Sequence, residues 1–218
     1  MKAIQLLNKY STPLGELTLA YIGHGSLMLQ INEKTIHVDP YGEVADYAEL
    51  PKADLILITH DHDDHLDKKA IEKIFKPNVT KIISTTSVAR ELREVEILKN
   101  GDKTIWENIA IEALPAYNVV QLKPDGNPFH PKGAGNGYLL HFDAFTLYIA
   151  GDTELIPEMQ NLPAIDVAFL PKNLPYTMSD EMFVKAAQLV KPKVLYPYHY
   201  FEVDKKSLCN ALPGINLR

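Results

Sequence analysis

The sequence has few of the features that assign a chain to a class at a glance. Its single cysteine, Cys209, excludes an intrachain disulfide and is compatible with a reducing compartment. No apolar run is long enough to span a bilayer. No Lys/Arg run stands out and the formal net charge is −6, so neither nucleic acid nor an anionic membrane is an expected partner. Low-complexity segments and short-period repeats are absent. The stretch Met1 to Tyr10 lacks the long apolar region and small-residue cleavage site of a secretion signal, so the expectation is a cytoplasmic protein. What remains is ordinary globular composition, 46% apolar and 23% charged, in 218 residues. That length predicts one α/β domain covering 1–218.

The first third reads as an antiparallel meander: Glu16 to Ile22, Ser26 to Ile31 and Lys34 to Val38 are β-rich, with Asn32-Glu33 as a two-residue turn. The pattern then changes to short, continuous apolar runs separated by helical spacing. Leu55 to Thr59 suits a strand buried on both faces. Asp67 is the expected cap of a helix carrying Ala70, Ile71, Ile74 and Phe75, closed by Pro77. Ile82-Ile83 predicts a further strand, and Ser87 the cap of a helix from Val88 to about Glu94. Thr104 to Trp106 and Ile109 to Leu114 predict a hairpin, and Pro115 to Gly137 a long loop of the kind that usually serves function. Strands are expected again at Tyr138 to Phe142, Phe145 to Ala150, Val167 to Leu170 and Val194 to Tyr198. Ser179 is expected to cap a helix with Met182, Phe183, Ala186, Ala187 and Val190 on its apolar face.

Three of these strands run directly into polar residues able to bind metal. Thr59 leads into His60, Ala150 into Gly151-Asp152, and Tyr198 into His199. Ligands collect beyond the carboxyl ends of strands in open α/β sheets. The cluster His60-Asp61-His62-Asp63-Asp64-His65 holds three imidazoles and three carboxylates in six positions. Residues two apart in an extended segment face one side, so His60 and His62 can grip one ion, while Asp64 and His65, where the chain turns, can reach a second. The bland alternative, a solvated polar loop, does not explain so many imidazoles together.

These residues resemble a known family. Thr59 to Leu66 is similar to the HxHxDH signature of the metallo-β-lactamase superfamily, Gly151-Asp152-Thr153 to its bridging-aspartate motif, and Tyr196-Pro197-Tyr198-His199 to its last-histidine motif. Gly23-His24-Gly25-Ser26 resembles the GHxS element of the branch containing ascorbate-6-phosphate lactonases and N-acylphosphatidylethanolamine phospholipases D. The matches span about Gly23 to His199. The resemblance implies a four-layer αββα sandwich with two divalent metal ions, zinc first and manganese, nickel or iron as alternatives. Carried over by motif, His60 and His62 bind one ion, Asp64, His65 and His199 the other, and Asp152 bridges them. The family's third histidine for the first ion is absent, since that stretch reads Leu114-Pro115-Ala116-Tyr117-Asn118. Asn118, His130 from the long loop, or water or substrate stands in for it.

Other residues are weighed against blander roles. His24, between two glycines, either orients a ligand or substrate or is a surface turn histidine. Asp39 either fixes a metal-bound imidazole or caps a turn, and His141 has no special role. His130 and Lys132 are candidates to donate a proton or bind an anionic group, Lys172 is a weaker anion binder, and Tyr176 to Met178 either line the pocket or pack. The expected function is metal-dependent hydrolysis of a small ester, lactone or phosphoester, on a substrate of anionic character if the lysines serve it, by a metal-activated hydroxide with Asp64, Asp152 and His130 as catalytic groups. His24, Asn118, Lys132 and Lys172 are the expected substrate contacts, and a homo-oligomer remains open. The alternatives are an iron-dependent redox enzyme of the same fold and a non-enzymatic metal or metabolite sensor.

Overall fold

The computed structural model describes residues 6–218, so the part of the leader expectation that rests on residues 1–5 lies outside the described residues. The chain divides after Leu98 into two compact units, each built on one seven-stranded sheet.

The first sheet runs in simple sequence order. It comprises β1 (Leu6–Thr12), β2 (Gly15–Gly23), β3 (Ser26–Ile31), β4 (Lys34–Val38), β5 (Leu55–Leu57), β6 (Lys81–Ser84) and β7 (Val95–Ile97). β1 to β4 are antiparallel neighbours, and β4 to β7 pair in parallel. The β3–β4 turn places Asn32 and Glu33 at φ 47° and 64°, the positive values that a two-residue hairpin turn requires. Parallel pairing needs crossovers, supplied here by α1 (Lys68–Ile74) and α2 (Val88–Glu91). α1 starts as its sequence predicts: Asp67 accepts from the amides of Lys69 and Ala70, and from that of Gly42. The helix buries Ala70, Ile71 and Ile74 in one cluster with Ile56, Ile58 and Ile82. α2 is shorter than expected. It ends at Glu91, Ser87 makes no side-chain cap, and the Thr85 hydroxyl meets the Val88 amide instead. Glu94 then adopts φ 59°, which a helix cannot contain.

The second sheet repeats the plan, again with its strands in sequence order. It contains β8 (Lys103–Trp106), β9 (Ile109–Ala116), β10 (Gly135–Phe142), β11 (Phe145–Ile149), β12 (Val167–Pro171), β13 (Val194–Tyr198) and β14 (Asn216–Leu217). β8 to β11 are antiparallel and β11 to β14 parallel. α3 (Asp180–Val190) is capped by the Ser179 hydroxyl and buries Phe183, Ala186, Ala187 and Val190 against Tyr148, Ala168, Leu170 and Leu195. α4 (Lys205–Ala211) precedes β14.

Glycine is required where β10 passes β11. A Cβ on Gly137 would lie 2.7 Å from the Ala150 carbonyl oxygen, and one on Gly151 would lie 2.5 Å from that of Asn136. Gly151 also has φ 67°. This close approach sets the turn that carries Asp152. No helix among the described residues is long and apolar enough to cross a membrane.

Candidate functional site

In each unit most of the functional side chains leave from the ends of the parallel strands, while His24 follows β2 and His130 lies between β9 and β10. In the first unit β4 and β5 run side by side, Val38 opposite Leu57, so the residues just past them meet. Asp39 and Thr59 are both fully buried there. The Asp39 carboxylate accepts from the Thr59 amide at 2.7 Å and from the Thr59 hydroxyl at 2.7 Å. Asp39 also receives His65 Nδ1 at 2.7 Å. The Thr59 hydroxyl has one hydrogen, already donated to Asp39, so it accepts from His60 Nδ1 at 2.9 Å. Both imidazoles therefore carry their proton on Nδ1 and present Nε2 as a lone-pair donor. That tautomer offers Nε2 to a metal.

His60 packs against both neighbours, its ring centroid 4.6 Å from that of His62 and 4.1 Å from that of His65. Crowding imidazoles in this way suits a shared cation. The turn after His62 is closed by the His65 and Leu66 amides, which both donate to the His62 carbonyl. Asp64 Oδ2 lies 3.8 Å from His65 Nε2 and 2.8 Å from His24 Nε2. His24 thus lies in hydrogen-bond contact with a candidate ligand. It does so from φ 53°.

In the second unit Asp152 is the centre. Its Oδ2 is 3.4 Å from His130 Nε2 and 3.2 Å from His199 Nε2, and all three residues are buried. His199 follows β13, at φ 50°, where Lys172 N donates to the Tyr198 carbonyl across from β12. The Asn173 amide lies 3.3 Å from His199 Nδ1. Asn173 Oδ1 has no hydrogen-bond partner among the described residues. Turned over, the amide gives Oδ1 to a His199 Nδ1–H, the arrangement found at His60 and His65. His130 follows the same rule, with Nδ1 2.8 Å from Asn118 Oδ1. His24, Asp39 and His199 all hold left-handed backbone, which is uncommon outside glycine and among other residues favours Asn, Asp and His. Strain of this kind concentrates at functional positions.

The donor set is thus imidazole Nε2 and carboxylate oxygen, buried and with proton positions fixed from behind, which fits zinc and related ions. The expected ligands His60, His62, Asp64 and His65 gather in the first unit, and Asp152 and His199, with His130, in the second. Lys132 and Lys172 are engaged elsewhere. Lys132 Nζ is 2.6 Å from Glu158 and 3.3 Å from the Tyr117 hydroxyl. Burial raises the Glu158 carboxyl, but the hydrogen bonds from Lys132 and Tyr117 outweigh it and hold it below the usual carboxylate range. Lys172 pairs with Asp180 at 2.6 Å. Tyr176 stacks edge-on against Phe129, Met178 is core, and burial lowers the His141 imidazole. Sequence reasoning missed Glu154 and Asn173. For Glu154 the available signal was a glutamate two residues after the strand-end aspartate.

The β-lactamase superfamily domain matches residues 18–199, a stretch that includes residues of both units. The chain is 46% identical to an inferred metal-dependent hydrolase from Parabacteroides distasonis, with a TM-score of 0.92 over 98% of this chain and 97% of that one. A metallo hydrolase from Ignicoccus hospitalis matches with a TM-score of 0.75 at 25% identity, over 93% of this chain and 94% of that one. A metal-dependent hydrolase of the UPF0173 family from Nanoarchaeum equitans is 31% identical over 84% of each chain. The chain belongs to the metallo-β-lactamase superfamily and, within it, to the UPF0173 metal-dependent hydrolases. It has the α/β two-sheet fold of that superfamily, as the motif resemblance implied.

Proposed function

We propose that the chain is a metal-dependent hydrolase of a small ester or lactone, with two divalent ions as its cofactor. His60, His62, Asp64 and His65 of the first unit and His130, Asp152 and His199 of the second would be the residues that hold metal. The observation that carries this reading is the common tautomer. His60, His65 and His130 each have Nδ1 engaged by an oxygen, which turns Nε2 into a donor for a cation. His130 fills the place of the missing histidine better than Asn118 does, because the Asn118 oxygen is already taken by His130 N and Nδ1. When bound, divalent ions of this kind polarise a carbonyl or phosphoryl oxygen and bring a water's pKa to about 7.

The chain's own groups do the rest. Asp64 is the more accessible carboxylate, its side chain 36% exposed against 3% for Asp152. It takes up the proton released by the attacking water and passes it to solvent, steadied by His24. Asp152, buried beside the His130 and His199 imidazoles, orients them.

A carboxylic ester or lactone fits better than a phosphoester. Lys132 and Lys172, the cations expected to bind an anionic group, are each paired with a carboxylate. The loop bearing His130 instead exposes Val119, Val120 and Leu122. The test loads metal-stripped protein with zinc, manganese, nickel or iron and offers neutral esters, lactones, phosphomonoesters and phosphodiesters. Turnover of esters or lactones that disappears on chelation is the expected result. A preference for phosphoesters overturns the substrate assignment, and full turnover in chelator overturns the metal centre.

A further inference from the structure

His130 sits on the segment between β9 and β10, which among the described residues carries little regular pairing beyond a bridge of Leu122 to Pro128. A candidate ligand on such a segment needs something to hold it. Glu154, fully buried, is placed to do so. Its Oε2 accepts from the amides of Val119 at 2.7 Å and Val120 at 2.6 Å, and its Oε1 from that of Gln121 at 2.7 Å. Three consecutive main-chain donors around one carboxylate form an internal anion nest. Glu154 N in turn donates to the Tyr117 carbonyl.

The same carboxylate also sets the direction of a side-chain amide. Asn118 Nδ2 lies 3.3 Å from Glu154 Oε1 and 2.8 Å from the Tyr176 carbonyl oxygen. Both partners can only accept. The NH2 group must face them, and Asn118 Oδ1 must face the other way. There it meets His130 N at 2.7 Å and His130 Nδ1 at 2.8 Å. An oxygen at that place demands a proton on Nδ1, which leaves Nε2, 3.4 Å from Asp152, as the lone-pair nitrogen.

We infer that Glu154 and Asn118 are positioning residues that dictate the tautomer and placement of His130: Glu154 orients the Asn118 amide, and that amide orients the imidazole. Residue 118, where the superfamily motif leads one to expect a histidine, thereby serves as the support for the histidine that replaces it. The step from tautomer to metal affinity rests on His130 being a ligand, as proposed above.

The test reads the tautomer directly, in metal-stripped protein labelled with 15N-histidine, by long-range 1H–15N correlation in mildly alkaline buffer. His130→Gln assigns the signals. Wild-type His130 is expected as the Nδ1–H form. Asn118→Leu, which removes the acceptor, and Glu154→Gln, which sets a donor against donors, are expected to shift the population to Nε2–H and weaken zinc binding by about 10-fold or more in chelator competition. Asn118→Asp keeps an acceptor toward His130 and is expected to retain the Nδ1–H form. It also serves if Glu154→Gln does not fold, since loss of Nδ1–H in Asn118→Leu and its retention in Asn118→Asp isolates the amide oxygen. An Nε2–H tautomer in the wild type, or an Nδ1–H tautomer untouched in Asn118→Leu, overturns the inference. Unchanged zinc affinity in His130→Gln refutes His130 as a ligand while leaving the tautomer result standing.

Discussion

His65 Nδ1 lies 2.7 Å from Asp39 Oδ2, and both side chains are buried. Asp39 adopts φ 44° to make this contact, and it also binds the amide and hydroxyl of Thr59. One carboxylate therefore orients His65 directly and His60 through Thr59. Asp39→Asn retains the shape but can turn an NH2 group toward the His65 ring or Thr59. Metal affinity is expected to fall by about 10–100-fold. Calorimetric titration with zinc checks this, and unchanged affinity removes Asp39 from the support of the site.

Asp152→Ala removes the carboxylate that lies within 3.4 Å of His130 and 3.2 Å of His199. Hydrolysis is expected to be abolished and the metal content of the purified protein to drop, as measured by elemental analysis. Normal turnover in this variant contradicts the proposed centre.

Gly151→Ala places a methyl group 2.5 Å from the Asn136 carbonyl oxygen at a residue with φ 67°. The backbone must shift, at a cost of about 1–3 kcal/mol. Thermal unfolding is expected at a lower temperature. Because the shifted residue adjoins Asp152, metal affinity should fall with it. A variant with wild-type stability and affinity shows that the turn accommodates the methyl group.

His37 concerns stability rather than catalysis. Burial lowers its pKa from 6.5 to about 4, against the opposing hydrogen bond with the Pro51 carbonyl. Between those values the unfolded chain binds more protons than the folded one. His37 therefore contributes stability that is complete above pH 6.5 and is lost as pH falls toward about 4. The contribution is about 3 kcal/mol at most. Urea unfolding at a series of pH values checks it. His37→Gln is expected to show a shallower loss of stability over that range than the wild type, and an identical slope assigns the acid sensitivity to other groups.

Lys132→Met and Lys172→Met test the substrate class. Each lysine is paired with a carboxylate, so turnover of a neutral ester is expected to change by less than about 3-fold. A large rise in KM for an anionic substrate, with neutral ones unaffected, restores the lysines as anion binders.

Local pattern was enough to read much of the fold. β3, β4 and β13 coincide with their expected ranges because period and turn residues both mark them. The caps of α1 and α3 were legible because Asp67 and Ser179 act on amides two or three residues away. β1, β7 and β14 escaped notice. β7 and β14 are too short to show a period, and β1 lacks the strong apolar signal of the central strands. The helix after Ser87 was read too long because Glu94 gives no local sign of its left-handed backbone.

By itself the sequence determined the chemistry on offer. Imidazoles and carboxylates set directly after buried strands identify a metal-binding protein, and the order of the motifs identifies its superfamily, because ligand type and spacing are properties of the chain. Only the tertiary structure decided which nitrogen each imidazole presents. It also decided that the oxygen of Asn118 goes to His130, and that Glu154 governs that choice. Those assignments depend on hydrogen-bond partners from distant segments, and a proton's position on a ring follows from the atom it faces, which residue order does not contain.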